Sequence, residues 1–228
     1  LDAYTGLEDL QEAFLGFVNK VPFYGAAVLC LDDGPVQDIL SRVERRAVTY
    51  GLSPQAHIAA RDVQLGPAGS SYTAVAGERT LGPIRLAVPG AHNVLNSLAA
   101  VAVGVDLGIS FDHVRGGLES FTGVDRRFHV RGEAGGVTVI DDYGHHPTEI
   151  RATLETLRHY GPGRRTVVLF QPHRYSRTQA PWDDFLAAFA ELAGQFIGPG
   201  ASFLGGSFGA GKCLFGALLG AVAQFNGF

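Results

Sequence analysis

The segment Val137-Thr138-Val139-Ile140-Asp141-Asp142-Tyr143-Gly144-His145-His146-Pro147 decides how the chain is read. Residues 137–140 are apolar and rich in β-branched side chains, the composition of a strand packed on both faces. Polarity then switches to two acids, a tyrosine and two histidines. Pro147 suits the first turn of a helix that the spacing extends to residue 160. Strand, polar loop and helix in that order form a unit of a parallel α/β sheet, where ligands bind at the carboxyl ends of strands. The pattern recurs downstream, with a turn at 161–165, an apolar strand over 166–170, a polar loop over 171–178 and a helix over 182–193. Both loops follow strands of what reads as one parallel sheet, so their side chains are expected to converge on one cleft.

Upstream, Leu7, Leu10, Phe14, Leu15 and Val18 recur at helical spacing over residues 7–19, and Pro22 ends that helix. Residues 26–31 form an apolar strand, buried on both faces and closed by Asp32, Asp33 and Gly34. A helix over 36–43 and strands over 47–50 and 56–63 follow. Residues 70–88 alternate, with turn residues at Gly77 and again at Gly82 and Pro83, so antiparallel strands are expected. Residues 89–93 open an alanine-rich helix reaching 105, and another covers 111–120. The glycine-rich stretch 131–136 reads as the boundary between two strand-and-helix groups.

The chain has 228 residues, with 18 basic against 22 acidic side chains. Charged residues make up 18%, below the roughly 25% typical of soluble proteins, so the chain is packed rather than disordered. A net charge of -4 offers no basic stripe for a polyanion, and nucleic-acid binding is not expected. No apolar run of about 18 residues occurs and the first ten residues lack a basic signal-peptide start, so a cytoplasmic location without membrane insertion is expected. Cys30 and Cys213 are far apart, indicating neither a disulfide framework nor a zinc site. Methionine is absent, so Leu1 reads as an internal cut and the chain as a fragment. Residues 197–228 hold nine glycines and five phenylalanines but no acid, an atypical tail that is either flexible or a misjoined terminus.

Five constellations could carry chemistry. In Gly90-Ala91-His92-Asn93-Val94-Leu95-Asn96, a glycine turn opens a helix. Asn93 and Asn96 share a face and could reach a planar ligand such as adenine, while His92 and Asn93 could equally cap free amides. Arg126 and Arg127 form an arginine pair suited to phosphate, or an exposed pair beside Asp125. The loop 141–147 could contact substrate. A metal-dependent hydrolase using Asp141, Asp142, His145 and His146 is a further reading. In Gln171-Pro172-His173-Arg174-Tyr175-Ser176-Arg177-Thr178, the cations suit an anionic substrate or simply solvate a loop. Residues 206–213 nearly spell a phosphate-binding loop but end in Cys213, which lacks the magnesium-binding hydroxyl.

Taken in order with Pro22-Phe23-Tyr24-Gly25 and Arg126-Arg127-Phe128, the loops at 90–96, 141–147 and 170–178 resemble the Mur ligases over about residues 1–196. The resemblance implies an α/β fold: residues 1–131 as the later part of a central ATP-binding domain, then 132–196 as a truncated Rossmann-like C-terminal domain. The tail 197–228 would replace the family's next strand and loop. It further implies an ATP-dependent ligase joining L-alanine to UDP-N-acetylmuramate through an acyl phosphate, the alternatives being a ligase that attaches a preformed tripeptide or a non-catalytic nucleotide-binding fragment. By the same resemblance His92, Asn93, Asn96, Arg127 and Asp142 would hold ATP. Tyr143, His145, His146, His173, Arg174 and Arg177 would face the substrate, with Arg127, His145 and His173 catalytic. The family's phosphate loop and Mg2+ ligands would lie upstream of Leu1, which implies that the isolated chain does not turn over.

Overall fold

The computed structural model describes residues 4–171, 182–195 and 202–205. It divides into two compact units, Leu1–Tyr143 with Glu155–Tyr160, and Gly144–Leu154 with Gly161–Phe228.

The first unit opens with α1 (Leu7–Val18), which feeds a five-stranded sheet in sequence order. Strands β1 (Ala27–Cys30), β2 (Ala47–Gly51) and β3 (Ile58–Gly66) run parallel. Strands β4 (Gly69–Ala76) and β5 (Arg79–Leu86) continue antiparallel. Between β1 and β2, α2 (Gly34–Leu40) starts where Asp33 Oδ1 accepts the Val36 N–H at 3.0 Å, with proline in the first turn. Residues 26–31 were expected to be buried on both faces, but only Ala27 of β1 is buried, because β2 is the strand's only described partner.

The core forms between the sheet and α3 (Ala91–Asp106). Val94, Leu98 and Val101 recur four and three residues apart and are 0% exposed, packing with Tyr72, Ala74, Ile84 and Leu86. Burying each such aliphatic side chain contributes about 1.5–3 kcal/mol. Polar groups inside are paired: Tyr72 Oη lies 2.7 Å from Ser97 Oγ, which in turn donates to the Val94 carbonyl. Helix α4 (Phe111–Ser120) completes this layer through Phe111, Val114 and Leu118.

Gly77 turns β4 into β5 as its residue type predicts, with φ +58°. Gly82 and Pro83 do not turn the chain. They pair with Ala74 and Thr73 inside β5, and the register shift between Ala74 and Val75 makes room for Leu81 as a bulge. Glycine and proline serve a bulge here for the reason they serve turns, namely distorted backbone and dispensable ladder donors.

Residues 137–141 do not form the buried parallel strand that their composition predicts. Strand β7 (Val137–Asp141) pairs antiparallel with β6 (His129–Ala134) in a two-stranded hairpin, turned by Gly135 and Gly136 at φ +57° and +77°. Val137 and Val139 are exposed, so an apolar strand composition here marks a ribbon and not a buried parallel strand.

The second unit holds the first part of α5 (Pro147–Tyr160), then β8 (Val167–Phe170), α6 (Trp182–Gln195) and β9 (Ser202–Gly205). β8 and β9 are parallel from Val167 beside Ser202 to Phe170 beside Gly205, with α6 in the crossover. Among the described residues, β7 pairs with β6 and β8 with β9, which corrects the single parallel sheet expected from the sequence. The expected burial of β8 fails too, since Leu169 is exposed. β9 likewise corrects the expectation that the tail replaces the next strand. Phe185, Ala188 and Phe189 of α6 are buried, with the Phe185 and Phe189 rings 5.5 and 5.3 Å from the Phe170 ring.

Candidate functional site

The amino end of α3 is shaped by what Gly90 lacks. At φ +104° it adopts a conformation that L side chains rarely reach. A Cβ there would lie 2.4 Å from Thr156 Oγ1 and 2.7 Å from His92 Cε1. The imidazole thus folds back against Gly90, above a threonine that is itself buried. Neither His92 nor Asn93 caps the helix: the N-cap is Gly90, which has no side-chain cap, and Asn93 Nδ2 donates to the Pro89 carbonyl at 2.7 Å. With that nitrogen committed, Oδ1 remains as the acceptor suited to an exocyclic amino group. Asn96 is exposed one turn on, three residues from Asn93 and four from His92.

Two further segments join this end within the first unit. Phe128 N–H donates to Asp142 Oδ2 at 2.8 Å, and Tyr143 N–H donates to the Arg126 carbonyl at 2.7 Å. The Arg126 guanidinium lies 4.6 Å from the Tyr143 ring centroid, a cation–π arrangement. Arg126 and Phe128 both have positive φ, at 60° and 43°, a strained geometry for residues with a Cβ. Phe128 anchors the segment by burying its ring edge-on against Tyr160 at 5.4 Å.

Charge organises the same place. Burial pushes the His92 imidazole below its usual pKa; Asp142 opposes that shift and Arg127 reinforces it. A neutral ring can donate from one nitrogen and accept at the other. Asp141 is held below the ordinary carboxylate range first by its hydrogen bond with Arg131, at 2.7 Å, with burial opposing and the Arg131 and Arg126 charges adding to it. Asp142 and Arg127, named from two other motifs, thus both act electrostatically on His92.

In the second unit, Glu149 Oε2 accepts the N–H groups of His145 and His146 at 3.0 and 3.2 Å and lies 3.3 Å from His145 Nδ1. One carboxylate organises the loop entering α5, as in a capping box. Asp141 is engaged by Arg131, Asp142 by Phe128, and the two histidines by Glu149. Among the described residues, no group of three His, Cys, Asp or Glu could hold a metal ion, and the hydrolase reading gains no support. His173, Arg174, Arg177 and the loop 206–213 lie outside the described residues.

Sequence reasoning did not single out Thr156, Glu149 or the clasp made by Arg126. Glu149 was recoverable from its place three residues into a helix start. Thr156 has no local signal, because only folding brings it beneath Gly90.

The Mur ligase middle domain matches residues 1–104, and the Mur ligase glutamate ligase domain matches residues 126–200. The chain belongs to the Mur ligase family. It is 52% identical over 189 residues to the UDP-N-acetylmuramate–L-alanine ligase of Geobacter sp. (strain M21), covering 83% of this chain and 41% of that relative. It is 26% identical to the crystal structure of UDP-N-acetylmuramate-alanine ligase from Thermotoga maritima, with a TM-score of 0.65 and coverage of 89% and 47%. The MurF ligase from Thermotoga maritima in complex with ADP shares the fold at TM-score 0.66 and 20% identity, covering 86% of this Mur ligase and 44% of that chain. The Mur ligase described here thus spans about two fifths of the length of the curated relatives it matches. None of its described helices is long and apolar enough to cross a membrane.

Proposed function

We propose that this chain serves an ATP-dependent ligase that joins L-alanine to UDP-N-acetylmuramate in the cytoplasm, as a step of peptidoglycan precursor synthesis. The supporting observation is that Arg127 and Asp142 both act on the His92 imidazole within one compact unit, at the end of a helix that also carries Asn93 and Asn96. Within this reading, residues 1–131 are of central-domain type and 132–196 of C-terminal type.

A carboxylate is a poor electrophile, so the reaction runs in two displacements. An oxygen of the lactyl carboxylate attacks the γ-phosphorus of ATP and ADP leaves, giving an acyl phosphate. The neutral amine of L-alanine then attacks the carbonyl carbon, inorganic phosphate leaves with the bonding pair, and the amine loses a proton. Catalysis rests on positioning and on cations opposite developing phosphate charge.

In this scheme Asn93 and Asn96 pair with adenine, neutral His92 lines the same end, and Asp142 accepts from the ribose. Arg127 meets the phosphates through a planar fork. Tyr143, His145, His146, His173, Arg174 and Arg177 hold the sugar nucleotide and amino acid, with His145 and His173 beside the reacting groups. The described residues offer no cluster suited to Mg2+, so no step is assigned to a metal held by them. The 228 residues alone are expected to bind ATP without turnover.

ATP binding to the 228-residue chain is the first test: Arg127→Ala and Asp142→Asn are each expected to weaken it about tenfold or more, and unchanged affinity would overturn the site. Phosphate release by a full-length ligase carrying this sequence should require ATP, Mg2+, UDP-N-acetylmuramate and L-alanine together. Faster turnover with a preformed tripeptide in place of L-alanine would replace the acceptor assignment.

A further inference from the structure

We propose that Arg126 is a positioning residue that clasps residues 126–128 to residues 141–143, so that Arg127 and Asp142 are presented together; this rests on the nucleotide reading of those two residues. The clasp has a main-chain and a side-chain part. The Arg126 carbonyl accepts the Tyr143 N–H at 2.7 Å, and the Arg126 guanidinium lies 4.6 Å from the Tyr143 ring centroid and 4.0 Å from Asp141 Oδ2. Phe128 N–H closes the other side on Asp142 Oδ2 at 2.8 Å. Arg127 therefore sits between two clasped residues of its own segment, and Asp142 between two residues that Arg126 contacts.

Main-chain conformation gives this arrangement its shape. Positive φ at Arg126 and Phe128, on either side of Arg127, bends the segment in a way that an unrestrained chain of such residues avoids. Contacts on the far segment must hold that bend, and Arg126 supplies three of them. Its charge is shared with Asp141, which Arg131 also holds at 2.7 Å, so the guanidinium is set as a brace against the ring and the acid.

Arg126→Gly separates the side chain from the backbone, because glycine adopts φ +60° without strain and the variant is expected to keep its melting temperature. Hydrogen exchange on the 228-residue chain is expected to speed up about tenfold or more at the Phe128 and Tyr143 amides while β3 to β5 stay protected. ATP affinity should fall about tenfold in Arg126→Gly and less in Arg126→Lys, which keeps the charge but loses the planar face. Unchanged exchange at Phe128 and Tyr143 overturns the clasp. Faster exchange with unchanged ATP affinity overturns its positioning role. If the parent chain itself binds no ATP, the nucleotide reading fails, and the exchange comparison still decides whether Arg126 holds the segment.

Discussion

The inner face and the amino end of α3 in effect belong to different materials. Along its inner face Val94, Leu98, Val101 and Ala102 are 0% exposed and interlock with β3 to β5. At its amino end lie a positive-φ glycine set against Thr156, a half-buried imidazole, and two clasped segments that carry a half-exposed carboxylate. The inner face is specified by volume and does not depend on pH. The amino end is specified by backbone conformation and charge, and can change with protonation or a bound anion while the sheet beneath it stays fixed. A ligand site placed on the first rung of a rigid helix inherits precision from the core without sharing its chemistry.

Replacing Leu98 by Ala probes the rigid face most severely, with an expected loss of about 2–5 kcal/mol in urea unfolding. A far smaller loss would mean that the face can collapse around the cavity. Gly90→Ala comes next, at about 1–3 kcal/mol, since a methyl must enter a left-handed site against Thr156 and His92. If instead stability is kept and only ATP binding falls, the amino end is energetically detached from the core. Tyr72→Phe should remove about 1 kcal/mol by leaving Ser97 with only its bond to the Val94 carbonyl.

Protonation gives the smaller effects. Because burial depresses the folded-state pKa of His92, the unfolded chain binds the proton first as pH falls. The neutral ring's contribution is intact above the ordinary histidine range and is lost as pH drops through that range toward the lower folded value. His92→Asn should flatten that part of the melting-temperature profile, and an unaltered profile would show that the imidazole is not sequestered. Asp141 follows the carboxylate rule: its pairing with Arg131 stabilises above the ordinary carboxylate range and fades as pH falls through its depressed pKa. The difference in melting temperature between the parent and Asp141→Asn should therefore shrink in acid.

Local order was legible in the sequence and long-range pairing was not. The spacing of Leu7 to Val18, the glycine at 90 and the proline at 147 each placed a helix within a residue or two, because helix periodicity and end signals are carried by neighbours. The strands at 137 and 167 were found, but their partners were not. Apolar β-branched runs look alike in a ribbon and in a central sheet, and pairing depends on residues far away in sequence. Ser202 to Gly205 escaped notice because four residues in glycine-rich text carry no period. For the candidate site, the motifs named His92, Arg127 and Asp142. Thr156, Glu149 and the clasp at Arg126 act through contacts that no local pattern encodes.

The bulge at Leu81 gives β5 one residue more than its pairing with β4 uses. Ahead of it Arg79 and Thr80 are both exposed, and beyond it Ile84 and Leu86 are buried in the core. Deleting Leu81 would bring Thr80 and Gly82 opposite the consecutive residues Val75 and Ala74, so the ladder would close and Ile84 and Leu86 would keep their places in the core. Extra residues in the Gly77 turn would leave those places alone. Length can thus change in this part of the chain at two places, the hairpin tip and the bulge, and β5 behaves like a text that carries one spare letter.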